Sequence, residues 1–240
     1  MTGEEETFLS VGLVIEKQQF DSFNEVQLSK EAKEELMTRC GLLVRNGQER
    51  PGVEAGAAMA LEHWLKAHYV LECTYAGDPV NAPKKLGFYL WEDGITLVRE
   101  DKAQYRLLYL PGLKMAMGAL ADALWECGET EETQCLTLEQ EAKDLQALNA
   151  VLKENAVDVP ESTGIEAHLT GFCGSEAKVH FIIKNVSGRA WLCQYGQGYV
   201  YCGYFTRADL VNQVGQWLIQ AHRQEIMAVL ERRRDPDESY

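Results

Sequence analysis

Two stretches of this 240-residue chain carry the same order of short apolar runs, and this repetition constrains the fold more than any other feature. In each stretch, four short runs separated by turn residues are followed by an amphipathic segment. The runs span 69–75, 86–91, 95–98 and 105–110 in the first half, and 165–172, 179–184, 190–194 and 199–205 in the second. Short apolar runs bounded by turn residues are typical of antiparallel strands. The order therefore predicts two four-stranded meanders, each closed by a helix.

The connections between the runs contain the residues that tight turns need. Asp93-Gly94 predicts a type I′ turn between the second and third runs, because that turn requires positive φ at both central positions. Ser187-Gly188 and Gln197-Gly198 predict the turns of the second half. Connections this short join antiparallel neighbours, so both meanders are expected to be antiparallel.

The two halves also match at the level of single residues. The closing helices carry apolar residues at one spacing, with Leu113 and Leu210 as the first pair at an offset of 97, whereas Gly94 and Gly188 are 94 apart. A three-residue insertion would reconcile the two offsets. Most amphipathic helices share this spacing, so the order of elements is the stronger argument for a duplication.

The duplication predicts an α+β fold. We expect a central antiparallel sheet built from two halves related by a pseudo-twofold axis, each a strand meander plus a helix, with helical bundles packed on the sheet. The halves are 1–127, with an N-terminal strand and two helices before the meander, and 128–240, with one helix before it. We expect them to form one intertwined domain.

Several helix boundaries follow from local sequence. Ser29 and Gly41 are the expected N-cap and C-cap residues of a first helix. A second helix ends near Lys66 and is expected to bury five residues at helical spacing: Ala57, Ala60, Leu61, Trp64 and Leu65. Thr137 with Gln140 matches a capping box and predicts the start of the helix that opens the second half. The last helix is predicted over 206–233.

Charge and composition exclude several classes of partner. The chain has 37 acidic and 23 basic residues, a net charge of −14, so its field repels nucleic acid. The basic run at 232–234 is followed by acidic residues and is interpreted as a helix-end cluster. We expect no nucleic-acid partner and, without a run of about 18 apolar residues, no membrane insertion.

Compartment and cysteine chemistry are predicted together. The acidic, polar N-terminus lacks the basic stretch and apolar run of a signal peptide, so the cytoplasm is the expected location. The seven cysteines are scattered, form no CxxC motif and lie mostly in apolar stretches. They are therefore expected to be small, buried, reduced residues.

No constellation of residues predicts catalysis. His168, Cys173 and His180 are the best metal-like cluster, but they straddle two predicted strands and are interpreted as structural. The segment 171–175 superficially matches a nucleophile elbow, yet a strand follows where that motif needs a helix, so it predicts a hairpin turn. We expect no catalytic, cofactor or metal site and no enzymatic activity. The alternative is a small-molecule-binding domain, or an enzyme whose site is assembled from scattered residues.

The chain resembles a known family in its pattern of glycines and hydrophobic residues. The matching segments lie at 40–43, at Gly47 and Pro51, at 86–91, 93–98 and 110–124, and at 187–191 and 204–218. In these segments the chain resembles the EspG-type, ESX secretion-associated chaperones of type VII secretion. The resemblance implies a cofactor-free cytosolic chaperone that shields the aggregation-prone tip of a helical secretion substrate.

The resemblance also implies where the partner binds. The family uses a loop between early strands and the C-terminal helical region. The loop corresponds here to 77–83, so Asp78, Pro79, Val80 and Asn81 are the implied partner-binding residues. The chain departs from the mycobacterial pattern in its many cysteines and glutamates. The implied partner is therefore an LXG- or WXG-type helical secreted protein, or a component of the secretion apparatus, rather than a PE/PPE pair.

Overall fold

This computed structural model describes residues 12–16, 53–76, 85–92, 94–100 and 104–234. Within these ranges the strands are β1 Gly12–Glu16, β2 Tyr69–Ala76, β3 Lys85–Trp91, β4 Gly94–Glu100, β5 Gln104–Leu110, β6 Gln134–Leu138, β7 Glu166–Cys173, β8 Glu176–Val186, β9 Arg189–Gly196 and β10 Tyr199–Tyr204. The helices are α1 Val53–Lys66, α2 Leu113–Ala123, α3 Leu145–Glu154 and α4 Arg207–Arg234, with a 3-10 turn at Trp125–Cys127. The predicted first helix, with Ser29 and Gly41, lies outside the described residues.

The described strands form one antiparallel sheet in the order β1-β5-β4-β3-β2-β7-β8-β9-β10-β6. From the central strands β2 and β7 outward, each half of the sheet contains the four strands of its meander. The outermost strand, β1 or β6, is the one that precedes that meander in sequence. Cys73 pairs with Leu169, 96 residues later, and the hairpin turns that begin at Glu92 and Ser187 are 95 apart. A pseudo-twofold axis therefore passes through the Cys73–Leu169 pair, and the predicted α+β fold is confirmed.

The helices cover the two faces of the sheet in equivalent ways. On one face α2 and α4 pack over the centre in a single large core that includes Phe88, Phe181 and Trp217. On the other face α1 covers β4 and β5 in the first half, and α3 covers β9 and β10 in the second. Each half thus has one of the described helices on each side of the sheet.

The closing segments of the two halves each contact the other half. The buried Glu225 carboxylate of α4 accepts a hydrogen bond from the Glu92 backbone N–H at 3.4 Å, in the β3–β4 turn. Likewise Asn185 Nδ2 in β8 donates to the Glu126 carbonyl of the 3-10 turn at 3.1 Å. The division at residues 127 and 128 into halves of one domain stays a prediction.

The helix offset of 97 is wrong by one turn. The buried residues of α2 are Ala116 and Leu120, followed at its C-cap by Leu124, and they correspond to Leu210, Val214 and Leu218 at an offset of 94. A helix repeats its faces about every 3.6 residues, so a slip of three residues leaves the apolar pattern almost unchanged. With the offset corrected, strands and helices agree within two residues and the three-residue insertion is unnecessary.

The predicted Asp93-Gly94 turn is also shifted by one residue. Trp91 pairs with Gly94, so Gly94 belongs to the strand and not to the turn, and Glu92 has φ +52°. Gly94 begins β4, where a Cβ atom would collide with the ring of His63 in α1. This glycine is needed for close packing of the helix. The Ser187-Gly188 and Gln197-Gly198 turns are confirmed, with positive φ at all four residues.

Two predictions about helices fail for tertiary reasons. Thr137 does not cap a helix, because 134–138 pairs with β10 as an edge strand; α3 begins later, where Asp144 accepts a hydrogen bond from the Ala147 N–H at 2.8 Å. Leu65 is 46% exposed, whereas Ala60 and Leu61 are buried in α1 as predicted. The predicted start of α4 is confirmed.

A candidate binding face at the centre of the sheet

Among the residues that the structure describes, none covers the centre of the sheet on the face that carries α1 and α3. The apolar clusters under these two helices contain no residue of β2 or β7. We call this surface the open face, and its residues are Val70, Glu72, Thr74, Lys85, Glu166, His168, Thr170, Phe172, His180 and Lys184. Most are half-buried, whereas the alternate residues of β7, such as Ala167 and Leu169, are fully buried against α4 and α2. The face therefore borders a packed core and is itself uncovered by the described helices.

The strand register arranges the open face in rows. Val70 lies beside Phe172 at one end, and Glu72 lies beside Thr170 in the next row. Thr74 lies beside His168, and the last row reaches Glu166. Directly paired residues share a face of the sheet. Along the strands, the side chains of the open face thus change from apolar, through hydrogen-bonding, to charged.

The carboxylates of the open face are paired with cations. Lys85 Nζ lies 2.7 Å from Glu72 Oε1. Glu166 contacts His168 Nε2 at 2.6 Å and Lys184 Nζ at 3.6 Å. Opposite charges on the open face are thus matched, and the surface carries little net charge of its own.

The middle of the open face is formed by a histidine and its neighbours. His180 Nδ1 lies 3.2 Å from Thr170 Oγ1, and its ring stacks on Tyr195 with centroids 4.6 Å apart. Burial lowers the pKa of His180 below its ordinary value, because the imidazolium form loses solvation. A neutral imidazole can either donate or accept a hydrogen bond, which suits a surface that binds polar groups.

The implied partner-binding residues Asp78, Pro79, Val80 and Asn81 lie outside the described residues. The nearest described residues on either side of the loop 77–83 are Ala76 and Lys85. Ala76 pairs with Glu166, and Lys85 forms the ion pair with Glu72. The loop therefore starts and ends beside the charged end of the open face.

The metal-like cluster considered in the sequence is divided between the two faces. His168 and His180 are on the open face, but Cys173 is an odd number of residues from His168 along β7 and faces the other way. Within the described ranges, no group of three or more His, Cys, Asp and Glu side chains is arranged to hold a metal ion. The segment 171–175 forms the predicted hairpin turn, since Cys173 pairs with Glu176.

Cys173 instead lies beside a histidine that the sequence did not connect with it. Its Sγ is 3.2 Å from His68 Nε2, and the Gly174 N–H donates to the His68 carbonyl at 2.6 Å. Cys173 also lines a cavity of about 330 Å³ with Tyr69, Lys178 and Trp217. Polar side chains therefore converge at this cavity as well as on the open face.

The open face as a whole was missed in the sequence, although it leaves a trace there. In β2, Val70, Glu72 and Thr74 alternate with buried Leu71 and Cys73. When every second residue of a central strand is largely polar, the face that these residues share is indicated to lack a covering helix. Recognising it required knowing that β2 and β7 are central, which depends on the pairing between the halves.

Comparison with known proteins gives one informative similarity. The structure of the Mycobacterium tuberculosis type VII secretion system chaperone EspG5 in complex with the PE25–PPE41 dimer is similar to this chain, with a TM-score of 0.50 and 7% sequence identity. The match covers 88% of this chain and 96% of that chain, so the two share a fold over nearly their full lengths. No protein-family model matches the sequence, and no curated protein matches it. No helix within the described ranges is both long and apolar enough to cross a membrane.

Proposed function

We propose that this protein is a non-catalytic, cofactor-free chaperone or adaptor that acts in the cytoplasm and binds a helical secreted protein of a type VII-like secretion system. The partner is an LXG- or WXG-type protein or a component of the secretion apparatus. The observation that carries the proposal is the open face, a hydrogen-bonding surface between two helices at the centre of the sheet. The fold shared with a type VII secretion chaperone supports the assignment of the class of function.

The dimensions of the open face favour one helix as the bound element. α1 is centred over β4 and α3 over β9, and these strands are five strand spacings apart in the sheet. At about 4.8 Å per spacing the helix axes are separated by about 24 Å. With about 5 Å taken up by each helix, about 14 Å remains, and a helix with its side chains is about 10–12 Å wide. One helix of a hairpin therefore fits between α1 and α3.

The chemistry of the open face favours a partner helix with graded polarity. Val70 and Phe172 offer an apolar contact at one end, and Thr170 with His180 offers hydrogen bonds in the middle. The Glu166–Lys184 pair and the flanks of the loop 77–83 offer charged groups at the other end. Binding of an amphipathic helix in a groove uses this combination of apolar anchors and polar contacts.

The direct test is complex formation with candidate partners. Helical-hairpin secreted proteins encoded beside this chain are purified with it, and the mixtures are analysed by size-exclusion chromatography with light scattering and by calorimetry. The proposal expects a stoichiometric complex with at least one candidate, and a negative heat-capacity change that reports burial of apolar surface. Failure of every candidate to bind, alone or in co-expression, would contradict it.

We keep small-molecule binding as a second candidate because of the cavity beside Cys173. The thiol and the Lys178 side chain line about 330 Å³ of space, a size that suits a small ligand, and the thiol contacts the His68 imidazole. A ligand bound there would change the fluorescence of Trp217, which lines the cavity. A metabolite that shifts this fluorescence and raises the melting temperature of the chain would favour the second candidate.

A further inference from the structure

Two buried cysteines lie side by side in the second half of the sheet. Cys193 of β9 pairs directly with Cys202 of β10, and both thiols are free in this structure. Their side chains are 0% and 2% exposed and are hydrogen-bonded to one another. The pair lies under α3, packed among Leu148, Leu152 and neighbouring apolar residues.

The hairpin register places the pair at the position where cross-strand side chains come closest. The turn Gln197-Gly198 is flanked by Gly196 and Tyr199, which form a hydrogen-bonded pair. Hydrogen-bonded and non-hydrogen-bonded pairs alternate along an antiparallel ladder, so Cys193 and Cys202 form a non-hydrogen-bonded pair. Such pairs have Cα atoms about 4.5 Å apart, within the range that a disulfide spans.

We propose that Cys193 and Cys202 form a reversible oxidation site, which a small hydroperoxide converts into a cross-strand disulfide without rearrangement of the backbone. The oxidation of this pair does not depend on whether the open face binds a partner. It goes beyond the proposed binding function, because it gives the chain a second covalent state.

The chemistry takes place in two balanced steps. In the first, the Cys202 sulfur attacks hydrogen peroxide; the O–O bond breaks, one oxygen stays on Cys202 as a sulfenic acid, and the other leaves as water with the thiol proton. In the second, the Cys193 sulfur attacks the sulfenic sulfur, the S–O bond breaks, and a second water leaves with the Cys193 proton. Two thiols lose two protons and two electrons in total, and one peroxide is reduced to two waters.

The two sulfurs of the pair differ in acidity, which favours Cys202 as the attacking sulfur. The hydrogen bond between the two sulfurs lowers the pKa of Cys202, whereas the same contact and burial raise the pKa of Cys193. A thiolate is the nucleophile in thiol oxidation. The oxidant has to be small and uncharged, because it reaches the pair only through local opening of α3, a ten-residue helix.

The other described cysteines lack this arrangement. Cys135 is exposed and contacts the Tyr201 hydroxyl at 3.0 Å, and Cys173 contacts His68. Cys73 and Cys127 are buried in the larger core on the opposite face of the sheet, but Cys73 pairs directly with Leu86 and Leu169, and Cys127 lies in the 3-10 turn outside the strands. Cys135 therefore serves as an internal reference for a solvent-accessible thiol, and Cys73 as a reference for a buried one.

The test uses the folded, fully reduced chain treated with graded hydrogen peroxide, then quenched with N-ethylmaleimide in denaturant and mapped by mass spectrometry. We expect a linked pair of peptides containing Cys193 and Cys202, a mass loss of about 2 Da for the two hydrogens removed, and reversal by dithiothreitol. A Cys73→Ala variant is expected to form the same link. Recovery of Cys193 and Cys202 as maleimide adducts, at peroxide levels that oxidise Cys135, would overturn the proposal.

Single variants separate the roles of the two sulfurs. In Cys193→Ala the sulfenic acid of Cys202 has no neighbouring thiol to react with, so dimedone is expected to trap it. This trapping is expected to be at least tenfold greater than the trapping of Cys193 in Cys202→Ala. Equal trapping in the two variants would contradict Cys202 as the attacking sulfur. The peptide map of the unsubstituted chain decides the main claim even if a variant fails to fold.

Discussion

Cys73 and Leu169 face each other across the centre of the sheet at the point where the pseudo-twofold axis crosses it. Both are buried under α2 and α4, on the face opposite the open face. Each half therefore places its first meander strand at the centre, and the helices that precede the two meanders end up far apart, over β4 and β9. The open face is a direct consequence of this duplication.

The packing of α1 against the sheet predicts the effect of substituting Gly94. Its Cβ would meet the His63 ring and, at 2.7 Å, the Tyr109 ring, so Gly94→Ala is expected to lower the free energy of unfolding by about 1–3 kcal/mol. Gly118→Ala in α2 is the matched control, since a Cβ there has no neighbour within 4 Å. That change is expected to stabilise the chain by up to about 1 kcal/mol. Urea unfolding measures both, and equal effects would mean that Gly94 does not pack as described.

The shared core under α2 and α4 predicts a large cost for truncating Leu120. Its side chain is 0% exposed, so Leu120→Ala is expected to lower the free energy of unfolding by about 2–5 kcal/mol through lost burial and a cavity. Leu136→Ala on the edge strand β6 is the control, because Leu136 is 45% exposed, and its effect is expected to stay within about 0.5 kcal/mol. A loss for Leu120→Ala as small as that of the control would contradict the assigned core.

The start of α4 predicts a local stabilisation by Thr206. The Asp209 N–H donates to Thr206 Oγ1 at 3.2 Å, and the Thr206 hydroxyl donates to Asp209 Oδ2 at 2.6 Å. Thr206→Ala is expected to cost about 1 kcal/mol, the usual value of an N-cap. Thr206→Ser keeps the hydroxyl and is expected to recover most of the loss in the same urea titration. A serine variant as unstable as the alanine variant would argue against capping.

The buried imidazole of His180 predicts a pH dependence of stability. Its pKa in the folded chain is lowered by burial, whereas the unfolded chain titrates near the ordinary value of 6.5. Below that pH the unfolded chain takes up a proton that the folded chain does not. The contribution of neutral His180 to the free energy of unfolding is therefore complete above pH 6.5 and is lost as the pH falls. The slope of unfolding free energy against pH, between about pH 7.5 and pH 5.5, is expected to be smaller in His180→Gln. Identical slopes would contradict the assigned shift.

The sequence predicted the fold better than the site, for physical reasons. Turn chemistry and apolar runs are local, so the meanders, the β8–β9 and β9–β10 turns and the start of α4 were predictable. The offset between the closing helices was not predictable, because helical periodicity hides a slip of one turn. Thr137 was mistaken for a cap because its strand partner Tyr201 is distant in sequence. The open face depends on which strands are central. Its residues come from strands up to 114 positions apart, as Val70 and Lys184 illustrate.

The central claim is that a helical partner binds on the open face, and a pair of matched threonine variants tests it most directly. Thr170 lies in the middle of the open face, and Thr137 lies on the edge strand β6, with its side chain exposed. With a partner that forms a complex, calorimetry is expected to show at least about tenfold weaker binding for Thr170→Arg, or about 1.4 kcal/mol. Thr137→Arg is expected to bind as tightly as the unsubstituted chain. Unchanged affinity for a folded Thr170→Arg variant would contradict the account.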